Sequence, residues 1–236
     1  MAVIDSAELL AQGSNYSGSG NWLDESGNGH HLVPTGSPTF TTDHFTTNGS
    51  SQYLTASADS GLDFAADQDF TLMIVLSVAD LTPASEACFV AHKSGAITAN
   101  PAGYAIGNGS GGAVSVRQGT GAALLNDAVS GMSESTITVL TARRDTVAAE
   151  FEGFIDGTGT GTPDTDTNAD ITSAQPFRIG ANSQTTPAEY SAIDIYAVAL
   201  WRSALSDADI ATAGDELQGI GLVAVNRTNI IFVAAD

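Results

Sequence analysis

The clearest fold signal in the chain is the segment EFEGFIDG, residues 150–157. It ends in Asp156-Gly157, a dipeptide that favours the tight turn of a β-hairpin. Alternation along a strand places Glu150 and Glu152 on one face, opposite the apolar side chains. The segment therefore predicts a half-buried antiparallel strand that turns back on itself.

Short segments of similar character fill most of the chain. Residues 70–76 (FTLMIVL) and 136–140 (TITVL) are rich in apolar and β-branched side chains, and residues 193–201 form a third strand candidate. The one helix signal starts at Ser206, a favourable N-cap, and apolar side chains follow at helical spacing up to Leu217. We therefore predict an all-β, two-sheet antiparallel jelly-roll sandwich with one short helix near the C-terminus.

The charge balance is strongly acidic, with 27 acidic residues against seven basic ones and a formal net charge of −20. Such a chain repels polyanions, so we expect no nucleic acid and no anionic membrane among its partners. No apolar stretch reaches the roughly 18 residues of a membrane span, and the N-terminal residues carry no signal-peptide pattern. The single cysteine, Cys88, lies in an apolar run and is expected to be buried.

We expect residues 1–236 to form one domain, because no linker is long enough to separate two. Residues 1–20 are predicted to be an N-terminal arm or an edge strand, residues 21–217 the jelly roll, and residues 218–236 a β-prone C-terminal extension. Apolar, β-prone ends that pair with no neighbouring strand promote aggregation. Either both ends add strands to the sandwich, or one of them docks on a neighbouring subunit.

Six short motifs occur in a defined order between residues 22 and 217, namely WLDESGNGHHL (22–32), FTTNGSSQYL (45–54), DFTL (69–72), VLTARRD with FIDG (139–145 and 154–157), FRIG (177–180) and WRSALSDADI (201–210). In this order they resemble the laminin-G-like jelly rolls of the concanavalin A-like lectin and glucanase superfamily. The resemblance implies two curved antiparallel sheets, with a concave face and edge loops for binding.

Acidic, cysteine-poor members without a signal peptide are similar to structural proteins of tailed viruses (phages). The resemblance therefore implies a non-enzymatic virion structural protein, either a capsid decoration or a component of a tail or fibre. Its implied location is the virion, and its implied partners are other virion proteins and further copies of itself. The alternative is a lectin-like carbohydrate-binding module for cell-surface or extracellular glycans, exported by a non-classical route. A glycoside hydrolase is the third alternative.

For a glycan-binding role, the candidate stacking residues are Trp22, Tyr104 and Tyr190, since aromatic rings present a flat apolar surface. For a hydrolase, members of the superfamily carry three alternating carboxylates on one strand, including an acid and a nucleophile. The nearest arrangement here is Glu150, Glu152 and Asp156. Asp156 belongs to the hairpin turn, so the third carboxylate on the strand is missing. We therefore expect that the chain is not an enzyme.

A structural calcium ion is the one cofactor that the sequence suggests. The cluster at residues 164–170 places oxygen ligands at every second residue, as in the first part of a calcium loop, namely Asp164, Asp166, Asn168 and Asp170. The alternative is an acidic hairpin loop, since the later glycine and glutamate positions of a calcium loop are not matched. The resemblance implies a second calcium position, for which family members often carry acids at the positions of Asn48 and Ala197; here the nearest acid to the latter is Asp194, three residues earlier.

Overall fold

The computed structural model describes residues 2–57, 61–109 and 112–226, with side chains up to residue 219. Within these residues the strands, in chain order, are β1 (Leu9–Gln12), β2 (Val33–Thr35), β3 (Thr39–Thr41), β4 (His44–Thr46), β5 (Tyr53–Ala56), β6 (Phe70–Val78), β7 (Ala87–Lys93), β8 (Gly103–Asn108), β9 (Val114–Gly119), β10 (Leu124–Val129), β11 (Thr138–Asp145), β12 (Glu150–Ile155), β13 (Thr158–Gly159), β14 (Asp164–Thr165), β15 (Phe177–Ile179) and β16 (Ile193–Trp201). One α-helix, α1 (Asp207–Asn226), follows the last strand. Among the described residues, no helix combines the length and apolar character that crossing a lipid bilayer requires.

The strands form two antiparallel sheets that face each other. The nine-stranded sheet has the order β13-β12-β11-β6-β16-β4-β3, with β1 beside β16 and β14 beside β12. The seven-stranded sheet has the order β10-β9-β8-β7-β15-β5-β2. The predicted all-β sandwich of two antiparallel sheets with one C-terminal helix is confirmed.

Every residue of strand β6 is buried, and over most of its length both faces of the nine-stranded sheet are covered. Leu72 and Ile74 point into the core between the sheets. Met73 and Val75 point the other way, into a second apolar cluster that includes side chains of α1. A strand covered on both sides reads as a continuous apolar run rather than an alternating one.

The hairpin predicted at Asp156-Gly157 joins β12 to β13 and is confirmed. Both turn residues have positive φ, 46° at Asp156 and 76° at Gly157, as a two-residue hairpin turn with the sheet's twist requires. The Asp156 carboxylate accepts the backbone N–H of Val139 at 2.9 Å. The turn lies directly against α1, since a Cβ atom on Gly157 would come within 2.8 Å of the Ala211 Cα.

The two ends of the chain behave differently. Strand β1 pairs antiparallel with β16, so the N-terminal segment contributes an edge strand to the nine-stranded sheet. The β-prone extension predicted over residues 218–236 is corrected in its first part, because residues 218–226 continue α1. Each residue added to an existing helix forms one more backbone hydrogen bond. This gain outweighs the low helix propensity of the glycine and valine residues there. Residues 227–236 lie outside the described residues.

A buried ion pair joins the nine-stranded sheet to the loop after β14. The Arg144 guanidinium is fully buried and donates from Nε to the Asp166 carboxylate, which is also fully buried. Its remaining nitrogens donate to the carbonyl oxygens of Ala65, Gln68 and Ala169. A buried charge is tolerated only when it is paired and hydrogen-bonded in this way.

The contact between Gly157 and α1 can be tested with alanine substitutions. Gly157→Ala should reduce the free energy of unfolding by at least about 1 kcal/mol more than Gly121→Ala, since it adds overpacking to backbone strain. Gly121 is the matched control, with φ +80° and open space around its Cα. Urea unfolding of both variants measures the difference, and equal losses would show that the Ala211 contact is not tight.

The Arg144–Asp166 pair can be tested with Asp166→Asn, which should reduce the free energy of unfolding by about 3 to 5 kcal/mol because it leaves a buried charge uncompensated. Asp170→Asn is the control, since Asp170 is exposed and Asn retains the oxygen that accepts the Thr172 N–H. Urea unfolding with a chelator and with added calcium should give the same loss for Asp166→Asn. A loss seen only with calcium would make Asp166 a metal ligand instead.

Candidate functional site

Two of the three predicted stacking residues are inside the protein, and the structure corrects the prediction for both. Trp22 and Tyr104 are only 1% and 0% exposed. The Trp22 Nε1 donates to the Gln12 carbonyl at 2.8 Å, and the Tyr104 hydroxyl donates to the Leu62 carbonyl at 2.9 Å. Because their polar atoms find backbone acceptors, both rings can be buried completely, so neither can stack on a sugar.

The third predicted residue, Tyr190, is half-buried and lines a cavity of about 270 Å³. Asn48 and Asp80 line the same cavity. The Tyr190 ring lies beside that of Tyr53, with ring centroids 6.3 Å apart, and the Arg178 guanidinium sits over the Tyr53 ring at 5.3 Å. This cavity therefore combines an aromatic surface with an amide and a carboxylate.

A second cavity, of about 340 Å³, adjoins the first. Its polar lining includes Ser77, Asp194 and Tyr196. Ala79 and Ala192 line both cavities, so small side chains separate the two chambers. We call the two chambers together the furrow, with a Tyr190 chamber and an Asp194 chamber.

The Asp194 carboxylate is the polar centre of its chamber. Its two oxygens accept hydrogen bonds from the Thr46 hydroxyl at 2.6 Å and the Ser77 hydroxyl at 3.3 Å. Burial, with a smaller contribution from the carboxylates of Asp194 and Asp43, raises the pKa of the Tyr196 phenol. Tyr196 is therefore a protonated hydroxyl near neutral pH and can donate a hydrogen bond in the furrow.

A β-bulge places Tyr196 in the Asp194 chamber. In the pairing of β16 with β6, the register passes from Ile195 to Ala197, so Tyr196 is the extra, unpaired residue. A bulge inserts one residue into a strand and redirects its side chain, and bulges are frequent next to functional sites.

The turn that follows β4 forms one wall of the Tyr190 chamber. The Asn48 side-chain oxygen accepts the backbone N–H groups of Ser50, Ser51 and Gln52, at 3.0, 3.0 and 3.2 Å. Gly49 has φ +69°, and a Cβ atom there would lie 3.2 Å from Ala192. The turn thus approaches the start of β16 more closely than another residue would allow.

The predicted calcium cluster does not converge on one point. Its four members have four separate partners, since Asp164 accepts the Asn126 N–H, Asp166 pairs with Arg144, Asn168 donates to the Thr146 carbonyl and Asp170 accepts the Thr172 N–H. Asp spaced at every second residue suits backbone capping as well as metal binding. These residues therefore do not fit a calcium ion, and the structure corrects this prediction.

The structure also does not bring together the residues of the second predicted calcium position, Asn48 and Asp194. The Asn48 oxygen is already an acceptor for three N–H groups, and Asp194 lines the other chamber of the furrow. Over the part of the chain that the structure describes, no group of three His, Cys, Asp or Glu side chains is arranged to hold a metal ion.

The Glu152 carboxylate, considered above for hydrolysis, belongs to an ion-pair network between the sheet and the helix. Glu152 pairs with Arg143 at 2.6 Å, and the same guanidinium pairs with Asp207 at 2.6 Å. Burial raises the pKa of Glu152, although Arg143 opposes that shift. This network ties β11 and β12 to the start of α1.

Sequence reasoning did not identify Tyr53, Asp80 or Tyr196 as site residues. They come from three separate strands or strand ends, and no local spacing connects them. The bulge that exposes Tyr196 depends on the pairing of β16 with β6, which a single sequence does not display.

A family model described as the concanavalin A-like lectin/glucanases superfamily, laminin G type, matches residues 48–211. A comparison with curated protein sequences gave no significant match. Among solved structures, the receptor binding domain of botulinum neurotoxin C/D mosaic serotype superposes with a TM-score of 0.69 at 12% identity, covering 90% of this chain and 51% of that chain. The binding domain of botulinum neurotoxin DC in complex with rat synaptotagmin II gives 0.71 at 13%, covering 92% and 53%.

Trypanosoma rangeli sialidase in complex with 2,3-difluorosialic acid gives a TM-score of 0.67 at 14% identity, covering 90% of this chain and 33% of that chain. This chain thus spans about half the length of the neurotoxin structures and a third of the sialidase. At such low identities these structures show a shared fold. With the family match extending over most of the sandwich, the chain belongs to the concanavalin A-like lectin/glucanases superfamily as a laminin-G-like domain.

Proposed function

We propose that this chain is a non-enzymatic binding module that takes a glycan in the furrow. The observation that carries the proposal is the half-buried Tyr190 ring, which shares its chamber with Asn48 and Asp80, next to the adjoining chamber that holds the Asp194 carboxylate. Glycan sites pair a stacking surface for the apolar face of a sugar with polar atoms that orient its hydroxyl groups. The furrow offers both within two adjoining chambers.

The chemistry of the furrow favours a neutral glycan. Asp80 and Asp194 supply carboxylate oxygens, which accept hydrogen bonds from sugar hydroxyls and repel a sugar acid. The net charge of −20 acts in the same direction. The Arg178 guanidinium lies over the Tyr53 ring, and it already donates to the carbonyls of Asn182 and Gln184. The sialidase is named in complex with a sialic acid derivative and one neurotoxin binding domain in complex with rat synaptotagmin II, and each ligand is that protein's own.

The second proposal concerns where the module works, as a structural component of a tailed-virus particle. Its support is the acidic composition, the resemblance to such structural proteins, and the apolar run at residues 230–233 (IIFV). An apolar run beyond a complete sandwich is expected to find cover on a partner. The partners would be other virion proteins, and glycan binding in the furrow would then serve contact with a cell surface.

The glycan proposal is tested by binding to an array of neutral oligosaccharides, followed by calorimetry on the best ligand. Tyr190→Ala should weaken binding about fivefold or more, because aromatic stacking is worth about 1 kcal/mol or more. Asp194→Asn should also weaken it, through the lost acceptor. Tyr16→Ala, a tyrosine in a different cavity, is the matched control and should bind normally. Absence of binding to any neutral glycan, or equal losses in all three variants, would refute the proposal.

The virion proposal is tested with a chain that ends at Asn226 and with Phe232→Ser in the full chain. Both should remain folded and soluble and should be absent from purified particles, since the apolar run is the expected contact. Particle composition by mass spectrometry measures incorporation against the unmodified chain. Incorporation at the full level would show that residues 227–236 do not dock, and a gene neighbourhood without capsid or tail genes would contradict the virion role.

A further inference from the structure

An open cavity of about 690 Å³ lies on the side of the sandwich away from β10 and β13. Here β2 ends the seven-stranded sheet and β3 ends the nine-stranded sheet, and only residues 36–38 join the two strands. The cavity is therefore the gap between the two edge strands, where the inter-sheet core reaches the surface. Its apolar lining comprises Tyr16, Val33, Pro34, Pro38, Phe40 and Phe45.

The walls of this cavity are preformed. The Tyr16 ring centroid lies 4.6 Å from those of both Phe40 and Phe45, and Phe45 lies 5.1 Å from Trp22 in the core. The Tyr16 hydroxyl donates to the Gly20 carbonyl at 3.1 Å, which holds the overlying loop. Aromatic side chains stacked on the core in this way keep their positions without a ligand, so an occupant does not have to order them.

The surface around the cavity is apolar as well. Trp22 and Leu32 pair in a β-bridge with both side chains inward, which turns the neighbouring Leu23 and Val33 outward. Leu23 is 57% exposed and Val33 is 43% exposed. Among the residues whose side chains are described, they are two of three large apolar side chains that are exposed, and the third is Val147.

This face also differs from the rest of the chain in charge. The chain has 27 acidic residues, yet none of the described residues lining the cavity is charged. The segments that form the face, residues 16–23 and 32–42, contain no Asp, Glu, Lys or Arg. Two molecules with a charge of −20 repel wherever acidic surfaces meet. At this face they can approach without placing acid against acid.

We propose that the occupant of this face is a second copy of the chain, in a two-fold symmetric contact centred on Val33 and the aromatic cavity. A self-complementary patch is the ordinary basis of such a dimer. Contact by added strands is disfavoured, because Pro34 removes a backbone donor from the edge strand β2. The contact is therefore made by side chains, with Leu23 and Val33 of each copy against the cavity of the other. This inference does not depend on the glycan proposal.

The test is the mass of the full chain by light scattering and sedimentation equilibrium. The mass should rise from 24.0 kDa towards twice that value as protein concentration increases. The rise should be larger at 0.5 M salt than at 0.01 M, where the Debye length is about 30 Å and the acidic surfaces repel each other most. Val33→Asp should be monomeric under all conditions, because it places a charge in the contact.

Val147→Asp is the matched control, since Val147 is 93% exposed on the β11–β12 hairpin, and it should dimerise like the unmodified chain. Circular dichroism and thermal unfolding verify that both variants are folded. A monomeric unmodified chain at every concentration and salt would overturn the proposal, and so would a Val33→Asp variant that still dimerises. Val33→Asp should leave glycan binding in the furrow unchanged, so this proposal and the glycan proposal can fail separately.

Discussion

The burial of strand β6 on both faces is the constraint on which the rest of the structure depends. One face completes the core between the sheets, while Met73 and Val75 on the other need a second cover. Helix α1 and the N-terminal segment provide it, and the Trp201 Nε1 donates to the Val3 carbonyl at 3.2 Å across this layer. Each buried apolar side chain of this size contributes about 1.5 to 3 kcal/mol, so removing the cover would expose a large part of the stabilising surface.

The same constraint explains where the furrow lies. Ser77 follows Val75 on the outer face of β6, and there the lining of the Asp194 chamber begins. The outward positions change from apolar to hydroxyl and carboxylate side chains at this point, in β6 as in β16. The fold therefore leaves one end of the sheet open and polar because the helical layer covers only the other.

The sequence supported correct predictions where the signal was local. The two-residue turn at Asp156-Gly157 and the apolar run of β6 depend on neighbouring residues, and the ordered motifs identified the superfamily. The site was harder to predict from the sequence, because the polar partners of Trp22 and Tyr104 are carbonyl groups 10 and 42 residues away. Asp164 shows a similar ambiguity, since the same spacing serves a metal ligand and a backbone cap.

Asp164 has a consequence for how densely these molecules can be packed. β10 is the last strand of its sheet, and its outward-facing Asn126 amide donates to the Asp164 carboxylate at 2.6 Å, while the Thr160 hydroxyl donates to the Ala128 carbonyl. Exposed backbone groups on an edge strand are what allow one sheet to continue into the next. With these two groups already paired within the molecule, this edge is a poor template for an added strand, so copies can lie close together without their sheets joining at β10.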